Sequence, residues 1–155
     1  MKIHLIRHGK AQRPFTGSDF NKSLNAKGKK QTSHLGKYLA EKNIRGHIHC
    51  SSAKRTRETL ENICVSTHWE NVTFIESLYL CSAHELLKHI SQYNENDELI
   101  IVGHNFGLSE IVSYYTDEEI TLRTGEYCCI DFGNLKLSES SRSTGIICDR
   151  FRYPC

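Results

Sequence analysis

Apolar residues in this chain fall into short runs that alternate with segments of helical spacing. Lys2-Ile3-His4-Leu5-Ile6 predicts a first strand, ended by Arg7-His8-Gly9. A polar loop follows through Pro14, Gly17 and Asp19 to Asn21. Asn25 is placed to cap a helix that runs to about Lys42 and buries Leu35, Leu39 and Ala40. Ile48-His49-Cys50 predicts a second strand, punctuated by Ser51-Ser52. From Ala53 to Ser66, Thr56, Leu60, Ile63 and Cys64 recur at helical spacing, and Val72 to Ile75 predicts a third strand. Ser82 with Glu85 is a capping box ahead of Leu86, Leu87 and Ile90. Asp97 to Val102 holds an unalternating Leu-Ile-Ile-Val run, as expected of a strand covered on both faces. Gly103-His104-Asn105 ends it, and Leu108, Ile111, Val112 and Tyr115 mark a further amphipathic helix. Tyr127 to Phe132 and Ile146 to Tyr153 predict two closing strands around a Ser-rich turn.

Strands alternating with helices imply an α/β fold, a three-layer sandwich with a mainly parallel central sheet, in a single domain over residues 1–155. Parallel strands share a direction, so their carboxyl ends line one sheet edge, where ligands of such folds bind. Arg7-His8-Gly9, Ser51-Ser52 and Gly103-His104-Asn105 all follow strands directly. Two histidines and a basic helix opening are thereby expected on one rim.

Lys and Arg number 20 against 18 Asp and Glu, a formal charge of +2. That balance gives no argument for a nucleic-acid partner, and Lys27, Lys29 and Lys30 read as a solvated helix face. No run approaches the ~20 apolar residues of a membrane span, and Lys2 to Ile6 is too short and too basic for a signal peptide. Seven cysteines, none in a C-x-x-C pair, read as reduced thiols packed as small hydrophobes in a cytoplasmic protein.

Singly, an Arg-His-Gly turn, one histidine or a helical arginine carries little. Together and in order, these segments resemble the histidine phosphatase superfamily, and within it the short SixA-type phosphohistidine phosphatases. The resemblance rests on the opening strand with Arg7-His8-Gly9-Lys10-Ala11, on Asp19 to Lys22 with Leu24 and Gly28, and on Ser51, Arg55 and Thr59. It extends to Val102 through Ser109, with Phe106 where proline is frequent, and to Thr124-Gly125 and Tyr153-Pro154. It implies the phosphoglycerate mutase-like fold, with His8 as the phosphoryl acceptor and Arg7, Arg55 and His104 completing the catalytic set.

The chemistry suits that assignment. A neutral imidazole offers a nitrogen lone pair to phosphorus, provided its other nitrogen is held by an acceptor such as a backbone carbonyl. The transferring phosphoryl group keeps its negative charge, so positioning and positive electrostatics carry catalysis. Arg7 and Arg55 supply planar forks for its oxygens, and His104, if protonated, adds a third positive donor. Gly9 is expected to let backbone approach the phosphate. Lys10, Ser51 and Asn105 are candidate rim residues, and Lys22, where the SixA-like pattern tends to carry arginine, could reach the substrate. Arg57 should face away from Arg55. No cofactor or metal is called for, since no ligand cluster is evident.

One departure bears on substrate. Larger members of the superfamily carry an acid that protonates the leaving group, and the place often acidic in this branch is Leu80. An alkoxide needs that proton, whereas a leaving imidazole does not. The expected substrate is therefore phosphohistidine on a protein partner. The alternatives are a phosphatase of small phosphate esters, using Glu76 or water as acid, and a non-catalytic phosphohistidine-binding module.

Overall fold

The computed structural model describes residues 1–13 and 16–154; Pro14 of the predicted loop and Cys155 lie outside them. Among the described residues, six strands form one sheet in the order β3-β2-β4-β1-β5-β6. They are β1 (Lys2–Arg7), β2 (His47–Ser51), β3 (Val72–Ile75), β4 (Leu99–Gly103), β5 (Tyr127–Asp131) and β6 (Ile146–Phe151). Strands β1 to β4 run parallel, while β5 is antiparallel to both β1 and β6.

Helices α1 (Ala26–Glu41) and α2 (Lys54–Thr67) cover one face, and α3 (Ala83–Ser91) and α4 (Gly107–Thr116) the other. Strand alternation sorts the core between them. Ile6, Ile48, Ile100 and Val102 join Leu35, Leu39, Leu60 and Ile63 on the first side. Ile3, Leu5, Leu99 and Ile101 join Leu86, Ile90, Leu108 and Ile111 on the second. Every residue of β4 is buried, which accounts for its unalternating run.

The caps behave as the sequence predicts. Asn25 accepts a hydrogen bond from the Gly28 amide, and Ser82 and Glu85 form the reciprocal capping box of α3. Differences lie at the ends: β4 starts at Leu99, β6 stops at Phe151, and the Ser-rich connection holds a 3-10 turn at Leu137–Glu139. Cys50, Cys128 and Cys129 are buried free thiols, but Cys148, on β6 beside the register shift, is exposed, with its Sγ 3.2 Å from that of Cys129. No helix among the described residues is long and apolar enough to cross a membrane.

Candidate active site

The parallel strands bring three predicted segments to one edge. β1 and β4 are neighbours, and the His8 amide donates to the Gly103 carbonyl at 3.1 Å. The loop before β5 closes over them: the Gly125 amide donates to the His8 carbonyl at 2.8 Å, and the Arg7 amide to that of Glu126 at 3.1 Å. The rings of His8 and His104 stand 5.3 Å apart between centroids. His8, Arg55 and His104 are buried at 8%, 5% and 5% exposure, so their charges interact with little screening by water.

His8 is held in one tautomer. Its Nδ1–H donates to the Gly9 carbonyl at 2.7 Å, leaving the lone pair on Nε2, where the Arg55 Nε–H approaches to 3.3 Å. Burial, reinforced by Arg55 and Arg7, lowers the His8 pKa to about 4. The backbone carbonyl expected for the second nitrogen is thus that of the next residue.

Burial, with His8 and Arg55 beside it, lowers the His104 pKa to about 3. That shift favours a neutral His104 in the free protein, so it becomes a third positive donor only once its pKa is raised. A dianionic phosphoryl group would push it back upward. Ser51 is not a rim residue: it is fully buried, and its hydroxyl meets His104 Nε2 at 2.8 Å, orienting the ring from beneath. His104 Nδ1 and Arg7 Nε are buried with no partner among the described residues. Such groups cost about 1–3 kcal/mol each unless an acceptor reaches them.

Arg55 enters from the first turn of α2. Its two terminal nitrogens donate to the Asp19 carbonyl at 2.8 Å and to Asp19 Oδ2 at 2.9 Å. Tyr79 donates its hydroxyl to the same carboxylate, and Lys22 pairs with it at 3.4 Å. Tyr79, Arg55 and Lys22 hold the Asp19 carboxyl down at about 2, so it is ionised at neutral pH. Arg57 does face away from Arg55, toward the Phe74 ring.

Arg7, His8, Arg55 and His104 line a cavity of about 480 Å³ together with Lys10, Lys22, Asn105 and Leu80. Gly9 does not line it. A Cβ there would lie 2.8 Å from the Gly28 carbonyl and 2.9 Å from Thr32, so this glycine lets the loop after β1 approach α1 rather than a phosphate. Asn105 is tied into the wall, donating to the Leu122 carbonyl at 3.0 Å, the same oxygen that Arg7 reaches at 2.9 Å.

Other contributors were missed as site residues. Thr59 accepts from the Gly9 amide and donates to the Arg55 carbonyl, linking β1 to α2. Gln31 accepts from the Lys10 amide and donates to Thr124. Thr59 stood in a recognised spacing; Gln31 and Tyr79 carry no local signal, since their roles depend on contacts far along the chain. Among the described residues no group of three or more His, Cys, Asp or Glu could hold a metal ion.

Residues 3–78 match the family model of the histidine phosphatase superfamily (branch 1). No curated protein sequence matches the chain. A chain from Agrobacterium tumefaciens assigned as the phosphohistidine phosphatase SixA superposes at a TM-score of 0.84 with 19% identity, over 98% of this chain and 97% of that one. The protein histidine phosphatase SixA complexed with tungstate gives 0.81 and 16%, over 97% and 96%. A phosphoserine phosphatase variant from Entamoeba histolytica, solved with phosphoserine, gives 0.69 and 15%, over 96% and 95%. At these identities the likeness establishes a common fold.

Proposed function

We propose that this chain, whose residues 3–78 match the histidine phosphatase superfamily model, hydrolyses phosphohistidine on a protein partner through a phosphorylated His8. The observation that carries this reading is the pairing of an unprotonated His8 Nε2 with Arg55, beside polar atoms of Arg7 and His104 that have no partner among the described residues. The acceptor oxygens of a phosphoryl group answer the donors of Arg7, Arg55 and His104 while its phosphorus faces the Nε2 lone pair. The Nε2 lone pair attacks phosphorus as the substrate's P–N bond breaks, and the departing ring, already protonated on its other nitrogen, leaves as neutral imidazole. Water then attacks phosphorus, the His8 P–N bond breaks, and phosphate leaves with His8 neutral again.

The choice of a P–N bond rests on what the cavity lacks. Asp19 is its one carboxylate among the described residues, and it is ionised and engaged by Arg55 and Tyr79. Leu80 stands in the wall where an acid would serve. With no protonated acid, a leaving imidazole with a pKa near ~6.5 is favoured over a strongly basic alkoxide. The test is a comparison of phosphohistidine and phosphoserine peptides of one sequence. Faster turnover of phosphohistidine is expected, and equal rates would return the reading to a general ester phosphatase.

A further inference from the structure

The near-neutral charge of the chain conceals a sharp local imbalance. Among the described residues, seven Lys and Arg side chains line the catalytic cavity against the single carboxylate of Asp19, in a chain with 20 basic and 18 acidic residues. Arg7 and Arg55 lie next to His8 and suffice for a phosphoryl dianion. Lys10 and Arg13 in the loop after β1, Lys22 after a 3-10 turn at Asp19–Asn21, Lys27 in α1 and Arg123 before β5 form a collar above them. All but Lys22 are exposed.

The position of Lys27 is informative. It lies in the first turn of α1, which holds no acidic residue, although a helix amino terminus favours negative charge. Arg13 acts on Arg7 as well, and after burial it is the largest influence lowering the Arg7 pKa. Cations concentrated against helix dipole and neighbouring cations form a field that one phosphoryl group does not use up.

We propose that this collar recognises acidic residues flanking the phosphohistidine of the partner, an inference that rests on the function proposed above. A protein segment fits better than a polyphosphate or nucleic acid because the same mouth exposes apolar side chains. Leu80 lines the cavity at 53% exposure. Phe106, next to Asn105, is 73% exposed and continues into a groove with Leu87, Tyr114 and Ile120. Apolar side chains of a peptide have contacts to make there, whereas a chain of phosphates has none. The field acts mainly on encounter, so its effect is salt-dependent.

The experiment measures kcat/KM for two phosphohistidine peptides, identical except for flanking Asp and Glu or flanking Ser, alongside phosphoramidate and a 5′-phosphorylated oligonucleotide. At low salt the acidic peptide should be turned over at least ~10-fold faster than the Ser peptide, and the gap should close near ~0.5 M salt. In the double variant Arg13→Glu/Lys27→Glu the gap should vanish or reverse, with a wild-type circular-dichroism spectrum and a cooperative thermal transition reporting that the variant is folded. Equal rates for the two peptides in the wild-type chain, or an undiminished gap in the folded variant, overturn the proposal. Preference for the oligonucleotide overturns it in favour of a nucleic-acid ligand. Phosphoramidate left intact by the wild-type chain overturns the proposed function instead.

Discussion

The Nε–H of Arg55 points at His8 Nε2 across 3.3 Å, while the rest of its guanidinium is engaged by Asp19. One contact both fixes the nucleophile's lone pair and disfavours its protonation. Asp19 keeps Arg55 in place while phosphate is absent, and an arriving phosphoryl group must compete with that carboxylate.

His8→Ala should abolish turnover and leave the fold intact, since the ring's partners in the fold are a neighbouring carbonyl and Arg55. Wild-type protein quenched during turnover should carry acid-labile, base-stable phosphate. Residual activity above ~1% of wild type, on the scale of nucleophile loss in other hydrolases, would remove His8 from that role.

Arg55→Lys keeps the charge but loses the planar fork and the contact to His8. A fall of at least ~10-fold in kcat, about 1.4 kcal/mol of transition-state stabilisation, is expected. Wild-type kcat in this variant would place Arg55 outside the transition state.

Both site histidines should remain neutral at mildly acidic pH, because burial and the arginines lower His8 to about 4 and His104 to about 3. Nitrogen-15 spectra of the free protein at pH ~5.5, about a unit below the ordinary imidazole pKa, should show His8 as the Nδ1–H tautomer. A doubly protonated ring would contradict the geometry.

The same shifts bear on stability. In the unfolded chain these imidazoles protonate below ~6.5, whereas the folded chain refuses the protons until about pH 4 or lower. The unfolded state then binds more protons, so their contribution is intact above pH ~6.5 and is lost as pH falls toward ~4. Together they should account for on the order of a few kcal/mol of acid destabilisation. Urea unfolding at pH 7 and 4.5 measures the fall, which should be shallower in His104→Asn. A slope unchanged by that substitution would show that His104 does not titrate this way.

Leu80→Glu places a carboxyl group in the cavity wall. Hydrolysis of an alkyl phosphate should rise toward the ~10²–10⁴-fold value of general acid help, while the phosphohistidine rate changes little. If neither rate responds, lack of an acid is not what limits ester hydrolysis, and the substrate argument from Leu80 fails while that for His8 stands.

Much of this molecule was legible in one dimension because its signals are local. The Asn25 cap, the Ser82–Glu85 box and the buried run of β4 are fixed by neighbours within a few residues, so the sequence alone determined the elements and their order. It also determined that Arg7-His8, Ser51 and His104 meet, because parallel strands share an edge. Tertiary structure decided what those groups are once assembled. Ser51 lies beneath His104 rather than on the rim, and Gly9 serves α1, because packing between distant segments sets those contacts. The His104 pKa is lowered by burial and by charges around it that arrive only with the fold. Asp19 belongs to Arg55, 36 residues away, and the collar from Lys10 to Arg123 forms only when loops from both ends of the chain close over one cavity. Electrostatic energy depends on distance and dielectric, and neither is written in the order of residues.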